Sequence, residues 1–199
     1  MSRGYVSLSV GEMDNNAYLL DDGAGHLGLV DAAAQPERLL DRIGGRSLDC
    51  VITTHRHADH IGALAEVVAR TGAIAYCGRP DAQAVERSTG VHCRPVWTGD
   101  RIAIGALSLE VIGLVGHTPG SIALVREGSP VELFTGDSLF PGGLGRTAGP
   151  PDFASLFADV TGRIFERFGD DTLVLPGHGA PTTLGAERPQ LEQWRRRGW

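Results

Sequence analysis

Lysine is absent from the 199 residues, and all 18 basic side chains are arginine. That excludes a lysine Schiff base and a Walker-type phosphate lysine. Cysteine is scarce. Cys50, Cys77 and Cys93 are odd in number, widely spaced and without a CxxC pair. They read as small buried hydrophobes in a reducing compartment rather than as ligands or a nucleophile. No apolar run approaches the roughly 20 residues that span a bilayer, and Met1-Ser2-Arg3-Gly4 lacks the apolar core of a secretory signal. A cytoplasmic protein with no membrane partner is expected. A basic stripe is missing as well. The net charge is -6, and the one basic run, Arg195-Arg196-Arg197, reads as a solvated tail. No nucleic-acid partner is expected.

What is present is the balance of a globular chain, 42% hydrophobic and 21% charged, with a length that suits one domain over residues 1–199. Alternating or apolar stretches predict strands at Tyr5 to Val10, Ala17 to Leu20, His26 to Val30, Asp49 to Thr53, Ile74 to Cys77 and Val91 to Trp97. Further strands are predicted at Leu107 to Val115, Ser121 to Val125, Val131 to Phe134 and Leu173 to Leu175. Helical spacing and stop signals predict helices from Pro36 to Ile43, Ile61 to Ala69 and Pro80 to Arg87. The clearest helix runs from Phe153 to Phe168, with Asp152 as N-cap and Gly169 as stop. This mixture predicts an α/β domain with helices covering sheets.

The chemistry concentrates in Thr54-His55-Arg56-His57-Ala58-Asp59-His60, where four potential ligands crowd into six residues. His55 and His57 are two apart, so on an extended segment they project to the same side. Asp59 and His60 follow where a helix should begin, and its free N–H groups can steady a carboxylate or an anionic ligand. Left unpaired after a buried strand, these groups would be costly to desolvate. Imidazole and carboxylate are the ligands that zinc, iron and manganese accept, so the cluster points to a metal. More ligands are then needed, and His117, Asp137 and His178 each follow an apolar strand beside glycine, which permits close backbone approach. His26 and His92 lack that context and read as structural.

Taken in order, the HxHxDH of His55 to His60, Gly116-His117-Thr118-Pro119-Gly120, Thr135-Gly136-Asp137 and Pro176-Gly177-His178 resemble the metallo-β-lactamase superfamily. Phe134 to Phe140, Gly145-Arg146-Thr147 and Pro176-Gly177-His178-Gly179 look like its glyoxalase II (hydroxyacylglutathione hydrolase) group, in a short form. The resemblance implies a four-layer αβ/βα sandwich with two divalent metal ions along one edge of the sheets, zinc first, with iron or manganese as substitutes. It implies one metal on His55, His57 and His117, a second on Asp59, His60 and His178, and Asp137 as the bridge. Asp31 either braces the metal loop from outside the ligand shell or serves as a strand-end turn residue.

The same resemblance implies hydrolysis of a small-molecule substrate by a metal-bound hydroxide, with Asp59 orienting it and Asp137 holding the metal pair together. A thioester suits this chemistry, because a thiol of pKa about 8.5 leaves easily as thiolate. In glyoxalase II a basic residue at the position of Arg146 contacts a glutathione carboxylate, which makes Arg146 a candidate anion clamp. The aromatic that follows it in the family is replaced here by Ala148 and Gly149. The chain also ends soon after His178, where full glyoxalase II carries a helical domain with thiol-cofactor contacts. Two rival activities share the motifs: a persulfide dioxygenase with one iron on His55, His117 and Asp137, and a lactonase or β-lactamase.

Overall fold

In the computed structural model, which describes residues 4–198, alternation along the strands sorts apolar side chains into three separate cores. The first sheet runs in chain order: β1 (Tyr5–Val10), β2 (Asn15–Asp21), β3 (His26–Val30), β4 (Ser47–Thr53), β5 (Ile74–Gly78) and β6 (Arg94–Val96). Its first three strands pair antiparallel and the remainder parallel. The second sheet contains β7 (Arg101–Ile104), β8 (Leu107–Gly113), β9 (Ile122–Arg126), β10 (Glu132–Gly136), β13 (Leu173–Pro176) and β14 (Thr182–Thr183). Its spatial order is β14-β13-β10-β9-β8-β7, with β10 and β13 parallel. A small hairpin of β11 (Leu139–Phe140) and β12 (Gly143–Leu144) lies between them in sequence.

Strand β4 shows how the layers arise. Cys50 and Ile52 point inward with Tyr18, Leu20 and Val30 to meet Leu109, Val111, Leu124, Phe134 and Leu175 of the other sheet. Val51, between them, faces the opposite way, into a core closed by Leu39, Leu64, Val67 and Val85. Those four lie on helices α1 (Pro36–Ile43), α3 (Leu64–Thr71) and α4 (Ala82–Thr89); the short α2 (Ala58–Ile61) precedes α3. The second sheet's outer face is covered by Leu156 and Val160 of α5 (Pro150–Val160), by Ile164 in the π-helical turn that follows it, and by Trp194 of α7 (Leu191–Arg197). A short α6 (Leu184–Glu187) leads into α7. Helix, sheet, sheet and helix form the four-layer αβ/βα sandwich.

Several elements differ from expectation for identifiable reasons. The helix expected from Ile61 is broken because Ala63 N donates to Ala32 O at 2.9 Å instead of to its own helix. Helix α5 begins at Pro150 with Gly149 before it, not at Asp152; two prolines suit a first turn whose N–H groups have no helical partner. The strand expected from Val91 shrinks to Arg94–Val96 at a sheet edge, where Pro95 cannot donate to the ladder. The basic run is not a tail: Arg195 and Arg196 pair with Glu192 on the exposed face of α7, while Trp194 is buried behind them. Cys50, Cys77 and Cys93 are free thiols buried in the cores. Among the described residues no helix is long and apolar enough to cross a membrane.

Arg188 anchors the end of the α5 segment. Its guanidinium donates to Phe165 O at 2.7 Å, Phe168 O at 2.9 Å and Asp170 Oδ1 at 2.6 Å. An Arg188→Ala substitution leaves two helix-end carbonyls without that donor, and is expected to cost about 1–3 kcal/mol. The midpoint of urea unfolding measures it.

Candidate metal centre

The strands that run parallel end at one common edge, and there the polar residues gather. Asp31 follows β3, His55 follows β4, Asp137 follows β10 and His178 follows β13, while His117 sits in the β8–β9 loop. Among the described residues, three groups have ligand atoms within 4.8 Å of one another: His55, His57 and His117; His55, His60 and Asp137; Asp59, His60 and His178. The structure thus brings together all seven residues singled out in the sequence. His26 and His92 lie elsewhere, beside Asp49 and Glu86.

The first triad is tight: His55 Nε2 lies 3.1 Å from His57 Nδ1 and 3.2 Å from His117 Nε2. In the second, His60 Nε2 is 3.2 Å from His178 Nε2, and Asp59 Oδ2 is 3.4 and 3.3 Å from those two atoms. Asp137 reaches both. Its Oδ1 lies 3.3 Å from His60 Nε2, and its Oδ2 lies 3.5 Å from His178 Nε2 and 3.7 Å from His117 Nε2.

Hydrogen bonds behind the rings decide which nitrogen faces the centre. His117 Nδ1 donates to Arg146 O at 2.7 Å and His178 Nδ1 to Met13 O at 2.9 Å, since a carbonyl can only accept. His60 Nδ1 meets Asp31 Oδ2 at 2.8 Å. Thr54 Oγ1 spends its proton on the same carboxylate oxygen at 2.8 Å, so it accepts from His55 Nδ1 at 3.1 Å. Each of these four rings is thereby turned to present Nε2 inward, the arrangement that orients metal-binding imidazoles. Among the described residues His57 has no such partner, and it presents Nδ1 instead.

Charge divides the cluster into halves. Burial pushes His55 well below the ordinary imidazole range, with the nearby His60 adding to the effect, and burial lowers His57 with help from His117. For His60, burial works downward, but Asp31 and Asp137 lift it to about 10. Burial works upward on Asp137, yet the facing His178 and His60 imidazoles hold it far below the usual carboxylate range. Asp31 and Asp137 thus favour positive charge on His60 between them, while burial favours neutral rings at His55 and His57.

These residues fit a pair of divalent cations. Asp137 Oδ1 is buried without a hydrogen-bond partner although it faces the cluster. Gly177 lines the same hollow, where a Cβ would collide with Asp137 Oδ1 and with the His60 ring. The donor set, five imidazoles and two carboxylates, is what zinc, iron or manganese takes.

Sequence reasoning missed Asn15, whose Nδ2 donates to Asp59 Oδ2 at 2.9 Å and lies 3.3 Å from His178 Nε2. Two adjacent asparagines heading a buried strand were its signal. The backbone carbonyls of Met13 and Arg146 were also missed. Arg146 itself is exposed and lines, with His57, His117, Thr147 and Ala148, a cleft of about 310 Å³. A larger hollow of about 500 Å³ lies at the opposite strand ends, where Arg126 and Glu132 pair with each other.

Two face-to-face mixed sheets, helices outside and a histidine–aspartate cluster at the strand ends define an αβ/βα-sandwich protein built to bind metal. The chain belongs to the metallo-β-lactamase superfamily, whose family model matches residues 10–178. It is 27% identical to hydroxyacylglutathione hydrolase GloC of Haemophilus influenzae, over 91% of this chain and 93% of that protein. It is 40% identical to a hydroxyacylglutathione hydrolase of Fuscovulum blasticum over 83% of this chain, which spans only 62% of that relative. Among solved structures it is similar to TTHA1623 in a di-iron-bound form, with TM-score 0.75 and 32% identity, covering 92% of this chain and 96% of that one.

Proposed function

We propose that the chain hydrolyses a thioester of the hydroxyacyl-glutathione type at the His55–His178 cluster. The enzyme class, a metal-dependent hydrolase, follows from the superfamily match and the hydroxyacylglutathione hydrolase relatives. The observation that carries the reading is Asp137, whose two oxygens reach both triads at once. We assign one divalent cation to His55, His57 and His117, a second to Asp59, His60 and His178, and Asp137 to both, with zinc as the first candidate. Bound there, such cations supply Lewis acidity and a water acidified toward neutral pH.

The chain's own residues do the remainder. Asp31 and Thr54 keep His60 and His55 turned inward. Asp59 is held by Asn15 beside the second triad, and is placed to orient the attacking water and take its proton. The departing thiolate needs no strong acid, since a thiol of pKa about 8.5 leaves as the anion. Arg146 is the anion clamp at the rim of the cleft.

Arg146 can be tested apart from the metal site, because its carbonyl, not its side chain, holds His117. Arg146→Ala is expected to raise KM for a glutathione thioester about 10-fold while leaving kcat and metal content near those of the parent, the loss of one charge-assisted contact. A large fall in kcat with unchanged KM would remove the clamp from this reading.

The deciding experiment pairs metal analysis with hydrolysis of S-lactoylglutathione. Thiol release that follows metal content supports the proposal, and it should vanish in His55→Ala with the fold retained. Oxygen uptake on glutathione persulfide without thioester hydrolysis would replace it with an iron-dependent dioxygenase. Turnover confined to lactones or β-lactams would overturn the thioester assignment.

A further inference from the structure

Beyond the seven cluster residues and their partners lies a carboxylate that touches none of them. Asp81, in the turn after β5, is 0% exposed. Its Oδ2 accepts from Arg56 N at 3.1 Å and from Thr118 Oγ1 at 2.6 Å, and its Oδ1 accepts from Gly120 N at 3.1 Å. Arg56 Nε adds an ion pair at 3.7 Å. Arg56 stands between His55 and His57, and Thr118 directly follows His117. One buried carboxylate therefore grips both loops that carry the first triad. Gly120 shows how close the grip is, since a Cβ there would meet Asp81 N at 2.4 Å and Asp81 Cγ at 2.7 Å.

A buried charge with this many donors is costly to maintain unless every donor is in place, and removing one partner leaves the others unsatisfied. Its donors come from two segments far apart in sequence, which makes it a brace and not a local cap. No such link runs from Asp81 to Asp59, His60 or His178. The grip is thus confined to one half of the cluster. Thr118 completes it from the other side: Ser121 Oγ lies 2.7 Å from Thr118 Oγ1 and accepts from Thr118 N at 3.1 Å, so the threonine hydroxyl is aimed at Asp81.

We infer that Asp81 is a positioning residue that sets the spacing of His55, His57 and His117, and so the affinity of that one site of the pair, without contacting metal or substrate. The inference rests on the two-cation reading of the cluster. In Asp81→Asn the amide NH2 necessarily faces a donor, either Gly120 N–H or the Arg56 and Thr118 pair, and one end of the brace opens. In Thr118→Val the carboxylate stays and only one donor is lost. Thr118→Ser restores the hydroxyl.

Zinc titration of the metal-free proteins against a chromophoric chelator tests this, with His57→Ala identifying which of the two affinities belongs to the first triad. Asp81→Asn is expected to weaken that affinity about 10- to 100-fold, the usual effect of removing an outer partner, and to leave the other affinity unchanged. Thr118→Val should move the same site by less, and Thr118→Ser should return it to the parent value. A merely structural role would weaken both sites together or neither, and either result overturns the inference. If Asp81→Asn fails to fold, the Thr118→Val and Thr118→Ser pair decides on the same criterion. Failure of the parent protein to bind two zinc ions is seen before any variant is made; it overturns the two-cation reading and this inference with it, and is distinguishable from unchanged variants on a parent that does bind two.

Discussion

Asp137→Ala is expected to lose activity on the order of 1,000-fold or more, the scale seen when a group that stabilises developing charge is removed, and to retain less metal than the parent. The reason is positional. No other residue of the cluster offers two oxygens, one 3.3 Å from His60 Nε2 and the other within 3.7 Å of His117 Nε2. Without it the two triads have no shared anion, and His60 keeps only Asp31 and the more distant Asp59 as charge partners. Asp137→Asn separates shape from charge, because the amide keeps the volume but removes the negative charge that faces His60, His117 and His178. It should fall nearly as far as alanine. Metal content per chain and the rate of thioester hydrolysis check both variants, and undiminished metal with full activity would refute the shared role of Asp137.

The largest stability effect is expected from Trp194→Ala, about 3–5 kcal/mol for a large side chain emptied from a core. Trp194 is fully buried and sits edge-on to Phe165 at 6.2 Å, among Val160, Ile164 and Leu184. Its Nε1 has no partner among the described residues, so the loss is one of packing. The site should feel it only indirectly. Glu187 accepts from Gly142 N at 2.8 Å and Arg197 donates to Gly142 O at 3.3 Å, which ties α6 and α7 to the turn leading to Arg146. Urea unfolding of the variant should show the lowered stability while metal stoichiometry stays that of the parent, since no cluster residue lies on either helix. A loss below about 1 kcal/mol, the size of a surface substitution, would contradict the docking of α7.

That helix marks the boundary of what the residue pattern could reveal. Within Leu191 to Arg197 only Leu191 and Trp194 are apolar, too few for a visible stripe, and three consecutive arginines resemble a tail. The partner that makes the segment helical is the sheet face, which local sequence does not contain. Strand β7 was hidden similarly, with four residues alternating between exposed and buried at a sheet edge. The cluster was far more legible, because ligand chemistry restricts residue types: His55, His57, Asp59 and His60 declare themselves together, and His117, Asp137 and His178 follow strands readable by their apolar runs. Of the groups behind them, Asp31 was offered by the resemblance as one of two readings, and the others were not legible. A carbonyl such as that of Arg146 has no residue-type signature, and Asp81 reads as an ordinary turn or helix-start aspartate until two distant loops are seen to share it.

The second triad also imposes an order on the making of the molecule. Asn16 N donates to Gly177 O at 2.7 Å, Asn16 Nδ2 donates to Pro176 O at 3.0 Å, and Met13 O receives the proton of His178 Nδ1. These contacts join an early hairpin to a strand some 160 residues further along the chain. Contacts so far apart in sequence form late, and a chain emerging from the ribosome carries Asp59 and His60 long before it carries His178. The growing chain can therefore assemble the His55, His57 and His117 grouping well before the last strand arrives. The full cluster closes only after the segment carrying His178 has been made.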